Sequence, residues 1–274
     1  MNNESKVKVL ADKWYKKIRF PAEYDEEFKE LISAISDPGE MLFTDYDFEA
    51  NKDDNQKNLI MYLYFCEELS RKYEEKGIPE EILMASLVPD FPIMVKRCVC
   101  LTGKLGLLRA GWFNLHMNLK LYRLGRLQFC MHTCYEDVPS KGLKKGDPVM
   151  DVHIPGEGPL DVDECQKSFD LCEEFFKKFF PDFKWDYYTC FSWVFDDVLE
   201  NFLKEDSNIL KFGKLFEPVH SVPADSILHF MFKYGIESRD EIKDIPAKSS
   251  FAQKVKDYAL SGGEFKNVLA VKKR

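Results

Sequence analysis

Asp151 and His153 stand two residues apart in Val149-Met150-Asp151-Val152-His153-Ile154. On a strand, that spacing puts both side chains on one face and Val152 and Ile154 on the other. A carboxylate beside an imidazole can fix the ring's orientation, which is what a general base needs. A hydrogen-bonded structural histidine at a sheet edge is the plainer reading of the same pair. Cys190 and Ser192 likewise share a face, opposite Thr189, Phe191 and Trp193. Either could face a reacting group or protonate a leaving thiolate. A nucleophilic Cys190 would form a covalent intermediate with ping-pong kinetics, although a cysteine among Tyr188, Phe191 and Trp193 commonly packs in a core. Tyr187 and Tyr188 alternate faces, so at most one can supply an acid to the same groove.

After the Asp151/His153 segment comes Pro155-Gly156-Glu157-Gly158-Pro159-Leu160. Two glycines separated by one residue, between a strand and a helix, can bring backbone N–H groups and the positive helix end against an anion. A tight strand-to-helix turn is the plainer reading. Asp161 or Asp163 is placed to cap the helix that follows, worth about 1 kcal/mol. Arg123 and Arg126 flank Gly125 and could grip a phosphate or carboxylate in bidentate fashion, or serve in a salt bridge. Trp112 and His116 lie one helical turn apart, where a substrate or a core could receive them. Cys130, His132 and Cys134 share one strand face, but a fourth ligand with its own spacing is missing, so no metal is expected.

These residues need elements to position them. Leu127 to Tyr135 and Val149 to Ile154 have strand texture, and the link Glu136 to Pro148 is rich in Pro, Gly, Lys and Asp, so the two strands should pair antiparallel. From Asp163, Cys165, Phe169, Cys172, Phe176 and Phe179 recur at helical spacing, which predicts an amphipathic helix on a sheet, ended by Pro181. Trp185 to Val194 is dense in aromatic and β-branched residues and predicts a buried strand. Val149 to Phe195 is therefore a strand, glycine turn, helix and strand, the βαβ unit of an α/β domain.

Ahead of it the chain is helical: Glu26 to Ile35, Asn55 to Glu75 closed by Gly77, and a restart after Pro79, with Pro89 and Pro92 interrupting the pattern. One more helix is expected through Trp112, Leu115, His116, Leu119 and Tyr122. Behind the unit the pattern gives helices over Asp197 to Lys204 and Asn208 to Phe212, a strand over Leu215 to Val219, a helix over Pro223 to Tyr234, and a helix plus strand from Phe251 to Lys272.

A hydrophobic content of 45% over 274 residues is ample for a buried core. No run of about 18 apolar residues occurs, and Met1 to Lys8 lacks the apolar stretch of a signal peptide; a cytoplasmic protein without a membrane partner is expected. A net charge of −8 with interspersed Lys and Arg argues against nucleic-acid binding. Eight scattered cysteines without a CxxC pair suit reduced core thiols. Nothing in the sequence sets an oligomeric state.

The order of antiparallel strands, glycine turn, helix, strand, helix and strand resembles the GNAT superfamily of acyl-CoA-dependent N-acyltransferases. More specifically, Leu121-Tyr122-Arg123-Leu124-Gly125-Arg126-Leu127-Gln128-Phe129, Asp151 to Leu160, Cys190-Phe191-Ser192-Trp193 and Ser207-Asn208-Ile209-Leu210-Lys211-Phe212 are similar to bacterial proteins with a helical N-terminal domain before a GNAT-like C-terminal domain. The resemblance implies an α/β (α+β) architecture: a helical domain over 1–120 and a mixed-sheet acyltransferase domain over 121–274.

The resemblance further implies that the end of Val149 to Ile154 splays from Trp185 to Val194 and leaves backbone groups for the pantetheine arm of coenzyme A. The expected cofactor contacts are Ile154, Gly156, Glu157, Gly158, Leu160 and Trp193. The catalytic set would be His153, Asp151, Ser192 and Cys190, with Trp112, His116 and Arg126 toward the substrate. The reaction would be acyl transfer, acetyl being the expected group, from coenzyme A or acetyl-CoA to a small-molecule amine acceptor. Three departures from the superfamily pattern favour an alternative, a non-catalytic GNAT-shaped module that binds a small molecule or a protein. No Arg or Gln opens the phosphate loop, Pro155 and Pro159 shorten it, and Glu157, Asp161 and Asp163 make it acidic.

Overall fold

The computed structural model describes residues 5–274, so Met1 to Glu4, part of the stretch read for a signal peptide, lie outside the described residues. The chain divides after Arg123 into two compact units.

The first unit is helical: α1 (Lys6–Ile18), α2 (Asp25–Ala34), α3 (Phe48–Asn51), α4 (Asn55–Glu75), α5 (Glu80–Thr102) and α6 (Ala110–Met117). Helix α4 starts where the Asp54 carboxylate accepts the Lys57 N–H at 2.9 Å, an N-cap. Its Leu59, Ile60, Met61, Leu63 and Leu69 are fully buried, and the Tyr62 and Phe65 rings meet edge to face.

Helix α5 continues through Pro89 and Pro92, where the sequence pattern suggested an interruption. Each proline removes one helical hydrogen bond, a cost of about 3 kcal/mol in a helix interior. Leu83, Leu87, Phe91, Met94, Val95 and Cys98 are all buried on it, and that packing holds the helix together. Helix α6 stops at Met117 rather than running to Tyr122: Leu119 takes a left-handed φ of 55°, and the Tyr122 hydroxyl donates to its carbonyl at 2.9 Å. Helix α1 is one that the sequence reading did not single out.

Strand β1 (Leu121–Leu124) leads into the second unit, followed by β2 (Leu127–Thr133), β3 (Pro148–His153), α7 (Val162–Phe179), β4 (Tyr187–Ser192), α8 (Asn208–Gly213), β5 (Glu217–Pro223), α9 (Ser226–Met231), α10 (Ser250–Leu260) and β6 (Lys266–Lys273). The sheet order is β1-β2-β3-β4-β6-β5. As expected, β2 and β3 are antiparallel and β3 and β4 are parallel across α7, the βαβ unit read from Val149 to Phe195. Helix α7 buries Cys165, Phe169, Cys172 and Phe176, and the Phe169 ring reaches Tyr188 of β4 and Phe129 of β2 at 4.9 and 5.6 Å.

Several boundaries differ from the sequence reading: the helix expected over Pro223 to Tyr234 is Ser226–Met231, because Pro223 belongs to the preceding strand. Strand β4 is shorter, because the Ser192 hydroxyl accepts the Val194 N–H and starts a 3-10 turn at Trp193. Asp197–Asn201 is a 3-10 turn rather than an α-helix, capped by Asp196. Strand β5 lies later, with an irregularity between Pro218 and His220, as suits an edge strand that must accommodate prolines. Among the described residues no helix is long and apolar enough to cross a membrane.

Candidate functional site: a strand wedge with an aspartate–histidine pair

Strand β3 has six register pairs with β2, from Gln128/His153 to Thr133/Pro148, and β4 has six with β6. Between β3 and β4 there are two, Met150/Tyr188 and Asp151/Thr189. Both strands run on, to His153 and to Ser192, so they part at their C-terminal ends. Parallel strands that separate while each keeps its outer partner leave a cleft edged by main-chain donors and acceptors.

Asp151 is 4% exposed at the apex of this wedge. Its Oδ1 accepts the Thr189 hydroxyl at 2.8 Å. Its Oδ2 lies 3.4 Å from His153 Nε2 and 3.4 Å from the Tyr135 hydroxyl. Tyr135 comes from the loop after β2, lies tilted against His132 with ring centroids 4.5 Å apart, and its phenol is held up above the ordinary range, first by burial and then by the Asp151 charge. The His153 side chain keeps 29% of its surface. A fixed carboxylate beneath a half-open imidazole can orient the ring and stabilise its protonated form, the two things a general base needs from its partner. Phe191, on the face of Thr189, is 48% exposed.

Asp151 and His153 thus share a face, as their spacing predicts, but Cys190 and Ser192 do not join them. Thr189 bonds Asp151, so Cys190 and Ser192, its alternates along β4, point to the other face. Cys190 is 2% exposed there, and burial pushes its thiol well up, which keeps it protonated and poorly nucleophilic. Ser192 is occupied with the Val194 N–H. Tyr188 shares that face and donates to Glu173 on α7. Thr189 and Tyr135 escaped the sequence reading, since a register between adjacent strands and a loop's return path leave no local spacing to detect.

The turn beyond β3 exposes Gly156, Glu157, Gly158 and Pro159, with Ile154 half-buried and Leu160 buried. Gly158 has a φ of 71°, which favours glycine. The Asp161 carboxylate caps α7, accepting the Asp163 and Glu164 N–H groups at 3.0 and 3.1 Å. Arg126 reaches this turn from the β1–β2 hairpin: its Nε donates to the Pro159 carbonyl at 2.8 Å and its Nη2 to the Gly158 carbonyl at 3.3 Å. The Arg126 backbone N–H donates to the Ser168 hydroxyl of α7 at 2.7 Å. Gly125, at a φ of 73°, makes that approach possible, because a Cβ would sit 2.8 Å from the Ser168 oxygen.

Trp112 and His116 belong to the first unit. The Trp112 indole donates to Asp90 Oδ2 at 2.8 Å, and His116 Nε2 lies 2.8 Å from the same oxygen. Trp193 is half-buried in the 3-10 turn after β4 and faces Phe230 at 6.4 Å. Cys130 and Cys134 are buried, and their thiols turn to the carbonyls of Met131 and Glu136. Among the described residues no group of three His, Cys, Asp or Glu could hold a metal ion.

Two family models match. The N-acyltransferase N-terminal domain matches residues 4–119 and the GNAT-like C-terminal domain residues 121–271. No curated protein matches. Among solved structures, an acyltransferase in complex with decanoyl-CoA and teicoplanin is similar at a TM-score of 0.76 and 24% identity, over 96% of this chain and 87% of that one. An acyltransferase mutant in complex with octanoyl-CoA is similar at 0.77 and 23%, over the same shares. At those identities the likeness speaks to the fold. With the second model covering more than half of its length, the chain belongs to the family that joins an N-acyltransferase N-terminal domain to a GNAT-like C-terminal domain.

Proposed function

We propose that the protein is an acyl-CoA-dependent N-acyltransferase that acylates an amine of a small-molecule acceptor. The observation that carries this reading is the wedge: β3 and β4 separate after Asp151/Thr189, with the carboxylate–imidazole pair at the point of separation. The pantetheine arm bears amides, which suit cleft edges made of strand backbone, and the Gly156 to Leu160 turn ahead of α7 suits the diphosphate. The solved structures with this fold that hold octanoyl-CoA and decanoyl-CoA support the same class of co-substrate. They favour a medium-chain acyl group over the acetyl group that the resemblance implies. The teicoplanin complex favours a small molecule as the acceptor.

In this reading the acceptor nitrogen attacks the thioester carbonyl and forms the C–N bond. His153, oriented by Asp151, takes the amine proton as the tetrahedral oxyanion forms. The C–S bond then breaks, and the departing thiolate takes up the proton that the His153 imidazolium holds, which restores the base. Thr189 and Tyr135 hold Asp151 in place. Cys190 stays out of the chemistry, so the kinetics are sequential and not ping-pong.

Thermal unfolding with CoA and with an acetyl- to decanoyl-CoA series tests the reading. A ligand at one hundred times its dissociation constant adds about 2.7 kcal/mol of stability, which is read as a rise in melting temperature. No rise with any of them at millimolar concentration sinks the proposal. The non-catalytic alternative predicts a rise without release of free CoA when amines are added.

A further inference from the structure

The turn that would meet the diphosphate is acidic in its own sequence. Glu157 lies within it, and Asp161, Asp163 and Glu164 follow at the first turn of α7. No Arg, Lys or Gln stands in Pro155 to Leu160. The fold brings a cation to the same place from a different element. The guanidinium of Arg126, on the β1–β2 hairpin, donates to the carbonyls of Gly158 and Pro159.

Three features fix that delivery. Gly125 lets the hairpin approach α7 closer than any side chain would. The Ser168 hydroxyl accepts the Arg126 backbone N–H and donates to the Glu164 carbonyl. The planar guanidinium then spans two consecutive carbonyls, a fork that an ammonium cannot reproduce.

We infer that Arg126 is the positioning residue of the diphosphate end of the acyl-CoA site, an inference that rests on the reading above. It works in two ways. Each trans peptide directs its C=O and N–H to opposite sides, so drawing the Pro159 carbonyl toward Arg126 directs the Leu160 N–H the other way. It also takes two carbonyl dipoles, which would repel an anion, out of the turn. Second, its fixed charge offsets the carboxylates of Glu157 and Asp161. The acidic turn becomes compatible with a diphosphate because its counter-charge is borrowed from the hairpin.

The experiment compares two ligands that differ by the nucleotide: CoA, with its phosphates, and pantetheine, which carries only the amide arm. Dissociation constants are measured by calorimetry for the wild type, Arg126→Gln and Arg126→Lys, alongside their melting temperatures. The expected result is a weakening for CoA of about tenfold or more in Arg126→Gln, with pantetheine affinity held within about twofold of the wild type. Arg126→Lys should recover less than half of the loss, since it restores charge without the fork. Equal weakening of both ligands, or full recovery by lysine, overturns the positioning role. So does an unchanged CoA constant in a folded Arg126→Gln. Wild type that binds neither ligand removes the acyl-CoA reading itself, a different failure from a wild type that binds CoA as tightly as its variants.

Discussion

In the first unit, His116 meets Asp90 at 2.8 Å with its ring 1% exposed, and Trp112 donates to the same carboxylate oxygen. In the second, His153 stands 3.4 Å from Asp151 and keeps 29% of its side-chain surface. The residue types are the same and the surroundings differ. Asp90 lies on α5 and its partners lie on α6, so the pair ties two helices together. A sealed imidazole cannot take a proton from an incoming amine. Asp151 is buried like Asp90, but its partner keeps 29% of its side-chain surface and its other oxygen accepts the Thr189 hydroxyl. Carboxylate–imidazole proximity is common to both pairs; the accessibility of the ring is what differs.

The contrast can be broken most severely at His153. His153→Ala should lower kcat by about 10²- to 10⁴-fold while the melting temperature moves little, because half-exposed side chains carry little packing. A kcat loss below tenfold would assign the base to another residue. Asp90→Ala should do the reverse, costing about 2–4 kcal/mol in urea unfolding, since the Trp112 and His116 N–H groups lose a buried acceptor together. A variant as stable as wild type would mean that the first pair has no structural task. The smallest effect sharpens the support of Asp151: Thr189→Val keeps the shape but strands Oδ1, so kcat should fall about fivefold, near 1 kcal/mol, and Thr189→Ser should restore it. An unchanged kcat in Thr189→Val would show that Asp151 needs no second partner.

Much of this was legible in the residues. The i, i+2 spacing placed Asp151 and His153 on one face, and the Cys165, Phe169, Cys172, Phe176 rhythm gave α7 within two residues of its ends. Those signals are local and periodic. What escaped was long-range or competed with a local rule. Pro89 and Pro92 read as breakers because propensity cannot weigh the buried face of α5 against two lost hydrogen bonds. Tyr122 continued a helical rhythm, but the left-handed Leu119 ended it. Cys190 and Ser192 were attractive by type, yet the alternation that put Asp151 and Thr189 side by side turned them toward α7. Arg126 was singled out for its fork, but its partners lie 32 and 33 residues away, beyond any motif.

The two-pair junction between β3 and β4 also has a mechanical meaning. With six pairs on either outer side, the sheet is two stiff panels joined along a short seam, and α7 is the strap that links them. A chain of amides lying in the open part of that seam would continue the ladder where the protein leaves it off. Filling the cleft and finishing the sheet would then be a single event, and the rigidity of this unit would depend on what it holds.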